Sequence, residues 1–137
     1  ADQRHESDIE GLGRIPAEQQ LKSKKVPSFN VIGNSPLVLR ESLLDEVYTM
    51  GENFVEAAKR VVAPGMNGPF CIEGVYDENA KFTSFEFSAR IVAGSNIYMD
   101  GSPYYSLLFN ENMSMGKRIA REIKIATEKN QLDKITT

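Results

Sequence analysis

The apolar positions of the chain change their period several times, and each change predicts an element. From Gly68 to Asn96, two runs rich in Phe, Val, Ile and Tyr flank Asp77-Glu78-Asn79-Ala80, a cluster of turn formers, so a β-hairpin is expected there. Alternation along the first strand sends Phe70, Ile72 and Tyr76 to one face and Cys71, Glu73 and Val75 to the other. Along the second strand, Phe85, Phe87 and Ala89 share a face and Ser84, Glu86, Ser88 and Arg90 share the opposite one. One face therefore reads as a core layer. The other carries two carboxylates and an arginine.

Upstream of the hairpin, Leu43, Leu44, Val47, Tyr48, Phe54, Val55, Ala58, Val61 and Val62 recur at helical spacing. Ser42, with Asp45 three residues on, is the expected N-cap, and Pro64-Gly65 is the expected stop. Gly51 weakens this helix by up to ~1 kcal/mol relative to Ala. A second amphipathic helix is expected from Met115 to about Glu128, capped by Ser114, with Ile119, Ile123 and Ala126 inward. Its outer face, with Lys117, Arg121 and Lys124, reads as solvated.

The rest of the chain is less periodic. Residues 1 to 25 are polar and read as loops around a short helix beginning at Pro16, ending in the basic run Lys22-Ser23-Lys24-Lys25. Phe29 to Ile32 predicts a short strand ended by a Gly33-Asn34-Ser35-Pro36 turn. Leu37 to Arg40 reads as extended, and the apolar run Ser106 to Phe109 as a further strand. This order predicts an α+β fold with helices packed on one face of a mainly antiparallel sheet.

Composition narrows the setting. With 137 residues, 41% of them hydrophobic, the chain is long enough for a single well-buried domain over residues 1–137 and too short for two. A net charge of −3 argues against nucleic acid or an anionic membrane as partner. The single cysteine gives no intrachain disulfide, and the sequence has neither an apolar run of transmembrane length nor a leader pattern, so a cytoplasmic protein is expected. The first residues, Ala1-Asp2-Gln3-Arg4, lack an initiator methionine, which is expected of a piece of a longer polypeptide.

The polar face of the hairpin carries the chemistry. Glu73 and Glu86 are expected nearly opposite each other across a turn centred near Asn79. Like charges side by side on a sheet are unfavourable unless a cation lies between them. A divalent ion such as Mg²⁺ resolves the conflict, since it takes hard oxygen ligands and is commonly held by one or two carboxylates plus substrate phosphates. Arg90, expected on the same face, is suited to a bidentate phosphate contact. Each residue also has a plainer role open to it. Glu86 and Arg90 fit a surface ion pair, Glu73 a solvated position, Asn34 the local turn, and Cys71 a small apolar side chain.

The spacing of Glu73 and Glu86, with the run Glu86-Phe87-Ser88-Ala89-Arg90, resembles the C-terminal lobe of ATP-grasp ligases, although Ser88 stands where Asn is usual. More specifically, Gly33-Asn34-Ser35-Pro36, Arg40-Glu41-Ser42-Leu43-Leu44, Gly68-Pro69-Phe70-Cys71, the 85–90 run and Ser114-Met115-Gly116-Lys117-Arg118-Ile119-Ala120-Arg121-Glu122-Ile123-Lys124 resemble the archaeal 5-formaminoimidazole-4-carboxamide ribonucleotide synthetases, over about Asp2 to Ile135. The resemblance implies an ATP-dependent ligase that uses formate to formylate aminoimidazole carboxamide ribonucleotide by way of formyl phosphate. It implies Mg²⁺ or Mn²⁺ on Glu73 and Glu86, a catalytic Arg90 at the transferred phosphoryl group, Glu6 at ATP and Asn34 at the nucleotide substrate. It also implies a homo-oligomer and a C-terminal piece of the enzyme, inactive alone, since no phosphate-cradling glycine loop with its lysine occurs here. The competing expectation is a non-catalytic assembly or ligand-binding module, with the tyrosines of residues 98–105 and the last helix at a subunit contact.

Overall fold

The computed structural model describes the chain apart from residues 25, 27, 136 and 137 and the side chains of residues 9, 10 and 96. The basic run of residues 22–25 thus ends outside the described residues. The elements form an α+β arrangement with two separate two-stranded antiparallel sheets in place of the one sheet expected from the sequence. The first ribbon pairs β1 (Asp2–Glu6) with β2 (Val31–Pro36), and the second pairs β3 (Cys71–Tyr76) with β4 (Phe82–Ser88).

The first ribbon corrects two expectations. Residues 2–6, read as loop, form a strand because Asp2, Arg4 and Glu6 alternate with Gln3 and His5, which a polar strand does as readily as an apolar one. Gly33 to Pro36, read as a turn, continue β2, where they pair in order with His5, Arg4, Gln3 and Asp2 across the ladder. Pro36 is tolerated at the strand end, where a missing N–H costs least. Short helices α1 (Ile9–Gly13) and α2 (Ala17–Lys22) connect the strands, the second beginning just after Pro16 as expected.

The long helix α3 (Leu44–Val61) lies on one face of the second ribbon. Phe54 anchors it, with ring centroids 5.1 Å from Phe70 and 4.8 Å from Phe87. Ser42 is not its N-cap. A 3₁₀ turn over Glu41–Leu43 precedes the helix, and Leu43 caps it without a side-chain hydrogen bond. Asp45 and Glu46 in the first turn and Lys59 and Arg60 in the last complement the helix dipole.

The expected strand at 106–109 is a helix, α4 (Pro103–Phe109), with Pro at its first turn, where its fixed φ and missing N–H suit a helix start. The Tyr104 hydroxyl donates to the Leu39 carbonyl, and Tyr105 meets the Phe109 ring edge-on at 5.9 Å. The last helix, α5 (Met115–Glu128), matches its expected span, and Ser114 Oγ accepts from the Lys117 N–H at 3.2 Å. Its basic face is engaged within the molecule. Arg118 and Arg121 stack over Phe109 at 5.1 and 5.0 Å, and Lys117 pairs with Glu111 at 2.6 Å.

The expected well-buried core is not formed. Among the described residues, the buried hydrophobic side chains are Met113 and Ala126, while Phe85, Phe87, Val75, Leu107 and Leu108 are exposed. Two separate two-stranded ribbons offer too little sheet area for the helices to enclose a core against them. No helix among the described residues is long and apolar enough to cross a membrane.

Candidate functional site

The second ribbon turns through Asp77–Lys81. Asp77 Oδ1 accepts from the N–H groups of Asn79 at 2.9 Å and Lys81 at 2.8 Å, and Ala80 adopts a positive φ of 59°. From this turn the ladder runs Tyr76 to Phe82, Val75 to Thr83 and Gly74 to Ser84. Continued without interruption, it would set Glu73 against Phe85. Instead a bulge leaves Phe85 as an extra residue, and the ladder resumes with Glu73 opposite Glu86, Ile72 opposite Phe87 and Cys71 opposite Ser88.

The bulge sorts the side chains. Ile72 and Phe87 face α3, and Cys71, Glu73, Glu86 and Ser88 share the other face. Ser84, expected beside Glu86, pairs with Gly74 on the α3 side, where it lines an open groove with Met50, Asn53 and Phe82. Gly74 itself is required by a close approach. A Cβ there would collide with the Phe82 ring and the Thr83 carbonyl.

The first ribbon supplies a second polar face. Asp2, Arg4 and Glu6 lie on one side of β1, and Asn34 is the cross-strand partner of Arg4. Asn34 Nδ2 donates to Asp2 Oδ2 at 2.6 Å, so the side chain singled out from the sequence latches its own ribbon. On the opposite side, His5 Nε2 and Ser35 Oγ are 2.7 Å apart.

The two polar faces meet through Arg4. Its Nε binds Glu6 Oε1 at 3.0 Å and its Nη2 binds Glu73 Oε2 at 2.8 Å. The Glu6 and Glu73 side chains are only 17% and 19% exposed, so these pairs are better shielded than ordinary surface contacts. Sequence reasoning missed Arg4 and Asp2. The available signal was the charged alternation of Asp2, Arg4 and Glu6.

Arg90 lies just beyond the end of β4, exposed, and its Nη1 donates to the Ile91 carbonyl at 3.1 Å. Cys71 reports the electrostatics nearby. Burial, then Glu73 and Asp2, push its thiol above the usual cysteine range, while Arg4 and Arg90 pull in the other direction.

Glu73 and Glu86 suit a hard divalent ion, for they put carboxylate oxygens on adjacent strands of one face. No group of three or more His, Cys, Asp or Glu among the described residues is placed to hold a metal. An ion at this pair would therefore complete its shell from water or phosphate, as Mg²⁺ commonly does.

Comparison with known proteins places the chain in a family. A family model described as "Domain of unknown function (DUF1297)" matches residues 1–137. The chain is 91% identical, over 99% of its length, to a 5-formaminoimidazole-4-carboxamide-1-(beta)-D-ribofuranosyl 5'-monophosphate synthetase of Nitrosopumilus maritimus, of which it covers 40%. It is 52% identical over 98% of its length to the protein of the same name from Archaeoglobus fulgidus, covering 37% of it. Among solved structures, an IMP biosynthesis protein PurP from Thermococcus kodakaraensis matches with a TM-score of 0.76 and 32% identity, over 99% of this chain and 42% of that one. The chain thus spans about 40% of the length of the relatives it matches.

Proposed function

We propose, for a chain that belongs to the DUF1297 domain family, that it is the C-terminal ATP-grasp lobe of an ATP- and formate-dependent ligase. The ligase formylates the amine of aminoimidazole carboxamide ribonucleotide in purine biosynthesis. The observation that carries this reading is the direct opposition of Glu73 and Glu86, the two positions that the resemblance gives to metal ligands. The names of the relatives at 91% and 73% identity support the substrate class.

A bound Mg²⁺ or Mn²⁺ supplies charge neutralisation on the ATP phosphates. Glu73 and Glu86, facing each other within the second ribbon, would hold that ion. Glu6 contacts ATP from the first ribbon, and Asn34 binds the nucleotide substrate by giving up its bond to Asp2. Arg90, exposed and bonded only lightly to a neighbouring carbonyl, is free to turn its fork onto the transferred phosphoryl oxygens. A formate oxygen attacks the γ-phosphorus as the bond to the departing ADP oxygen breaks, giving formyl phosphate. The substrate amine then bonds to the formyl carbon and loses a proton, and phosphate leaves. The residues of this chain contribute positioning and electrostatic stabilisation to the first step.

The remaining walls of the site belong to the rest of a protein about two and a half times as long, judged from the 40% coverage of its relatives. That reading also accounts for the exposed Phe85, Leu107 and Leu108, which adjoining sequence would cover. A cytoplasmic homo-oligomer belongs to the same proposal. The test is ADP release by the full-length protein, with formate and ribonucleotide omitted in turn. Glu86→Gln should abolish metal-dependent turnover while leaving the circular dichroism spectrum unchanged. Persisting turnover in that variant, or robust turnover by the isolated 137 residues, would contradict the proposal.

A further inference from the structure

Arg4 reaches a carboxylate on each of the two ribbons. One edge of its guanidinium holds Glu6 at 3.0 Å and another holds Glu73 at 2.8 Å, while its own side chain is 39% exposed. A guanidinium is planar and rigid, so two carboxylates bound to one fork have a fixed relative orientation. An ammonium at the same place would offer a point charge without that geometry.

The pairing leaves Glu73 usable. Arg4 pairs with Oε2, and a carboxylate has acceptor capacity on both oxygens, so Glu73, the cross-strand partner of Glu86, keeps a second oxygen for another ligand. The backbone gives Arg4 a stable platform, because its cross-strand partner Asn34 is tied to Asp2 on the same face.

We propose that Arg4 is a positioning residue: by gripping Glu73 and Glu6 together, it sets the orientation of the metal-binding carboxylate and its separation from the nucleotide-contacting residue. The proposal rests on the reading of Glu73 and Glu86 as the metal pair. Groups that orient a metal ligand from outside typically cost about 10- to 100-fold in metal affinity when removed. A purely electrostatic role gives the opposite sign, since removing a positive charge beside the ion would tighten binding.

The experiment is a Mn²⁺ titration of the full-length protein, read by the electron paramagnetic resonance signal of free Mn²⁺, for wild type, Arg4→Gln, Arg4→Lys, Glu73→Gln and Glu86→Gln. Arg4→Gln is expected to weaken Mn²⁺ binding by about 10-fold or more. Arg4→Lys is also expected to weaken it, and decides the matter alone if Arg4→Gln does not fold. Unchanged or tighter Mn²⁺ binding in a folded Arg4 variant overturns the positioning role. The two glutamate variants separate the failures. If they abolish binding while the Arg4 variants do not affect it, only the role of Arg4 falls; if they leave binding unchanged, the metal pair itself is wrong.

Discussion

Glu73 and Glu86 stand opposite each other because β4 carries one residue more than β3 across the bulge at Phe85. A regular ladder from the same turn would have put an aromatic ring where the second carboxylate lies. The opposition has an energetic cost, since like charges directly across a sheet are destabilising by roughly 0.2–1 kcal/mol. Arg4 offsets it on the Glu73 side.

That cost predicts an inversion. In EDTA, Glu86→Gln should raise the melting temperature of the full-length protein, because the variant removes one of the two facing charges. With excess Mn²⁺ the order should reverse, as ligand binding to the folded state stabilises wild type alone. A variant that melts below wild type in EDTA would show that the two charges do not repel in the ion-free fold.

The two glycines that face aromatic rings should respond oppositely to alanine. A Cβ on Gly74 would collide with Phe82 and the Thr83 backbone, so Gly74→Ala should cost about 1–3 kcal/mol and disturb the bulge that aligns the carboxylates. A Cβ on Gly51 would sit 3.8 Å from the Phe70 ring, an ordinary contact, so Gly51→Ala should stabilise α3 by up to ~1 kcal/mol. Denaturation midpoints of both variants check the pair of signs.

Cys71 predicts a pH dependence. Its thiol is held above the usual range, chiefly by burial and then by Glu73 and Asp2, so the folded chain keeps the proton more tightly than the unfolded one. Alkylation by iodoacetamide at pH 8 should therefore be slower in the folded protein than in urea, and should accelerate as the pH rises beyond the free-thiol range. By linkage, the contribution of this group to stability is complete below the unfolded thiol pKa and is lost as pH rises through the folded value. Equal alkylation rates in folded and unfolded protein at pH 8 would contradict this.

The helices α3 and α5 were legible because their apolar residues recur over several turns, a signal that local variation does not erase. The hairpin and its facing glutamates were legible from alternation and turn chemistry. The bulge was not, because a period of two says nothing about one extra residue, and alternation alone therefore puts Ser84 on the wrong face. The strand Asp2–Glu6 was hidden by its polarity, and α4 by a short apolar run that fits strand and helix alike. The role of Arg4 is hidden for a related reason: it depends on Glu73, sixty-nine positions away, which only the tertiary arrangement brings near.

The proposed joint grip of Glu73 and Glu86 on a divalent ion is open to anomalous diffraction from crystals of the full-length protein grown with Mn²⁺ and a non-hydrolysable ATP analogue. A Mn²⁺ peak is expected between the two carboxylates, within about 2.0–2.3 Å of an oxygen of each and in contact with a phosphate oxygen. A peak bound elsewhere, with Glu73 still held by Arg4 and Glu86 facing solvent, would contradict it.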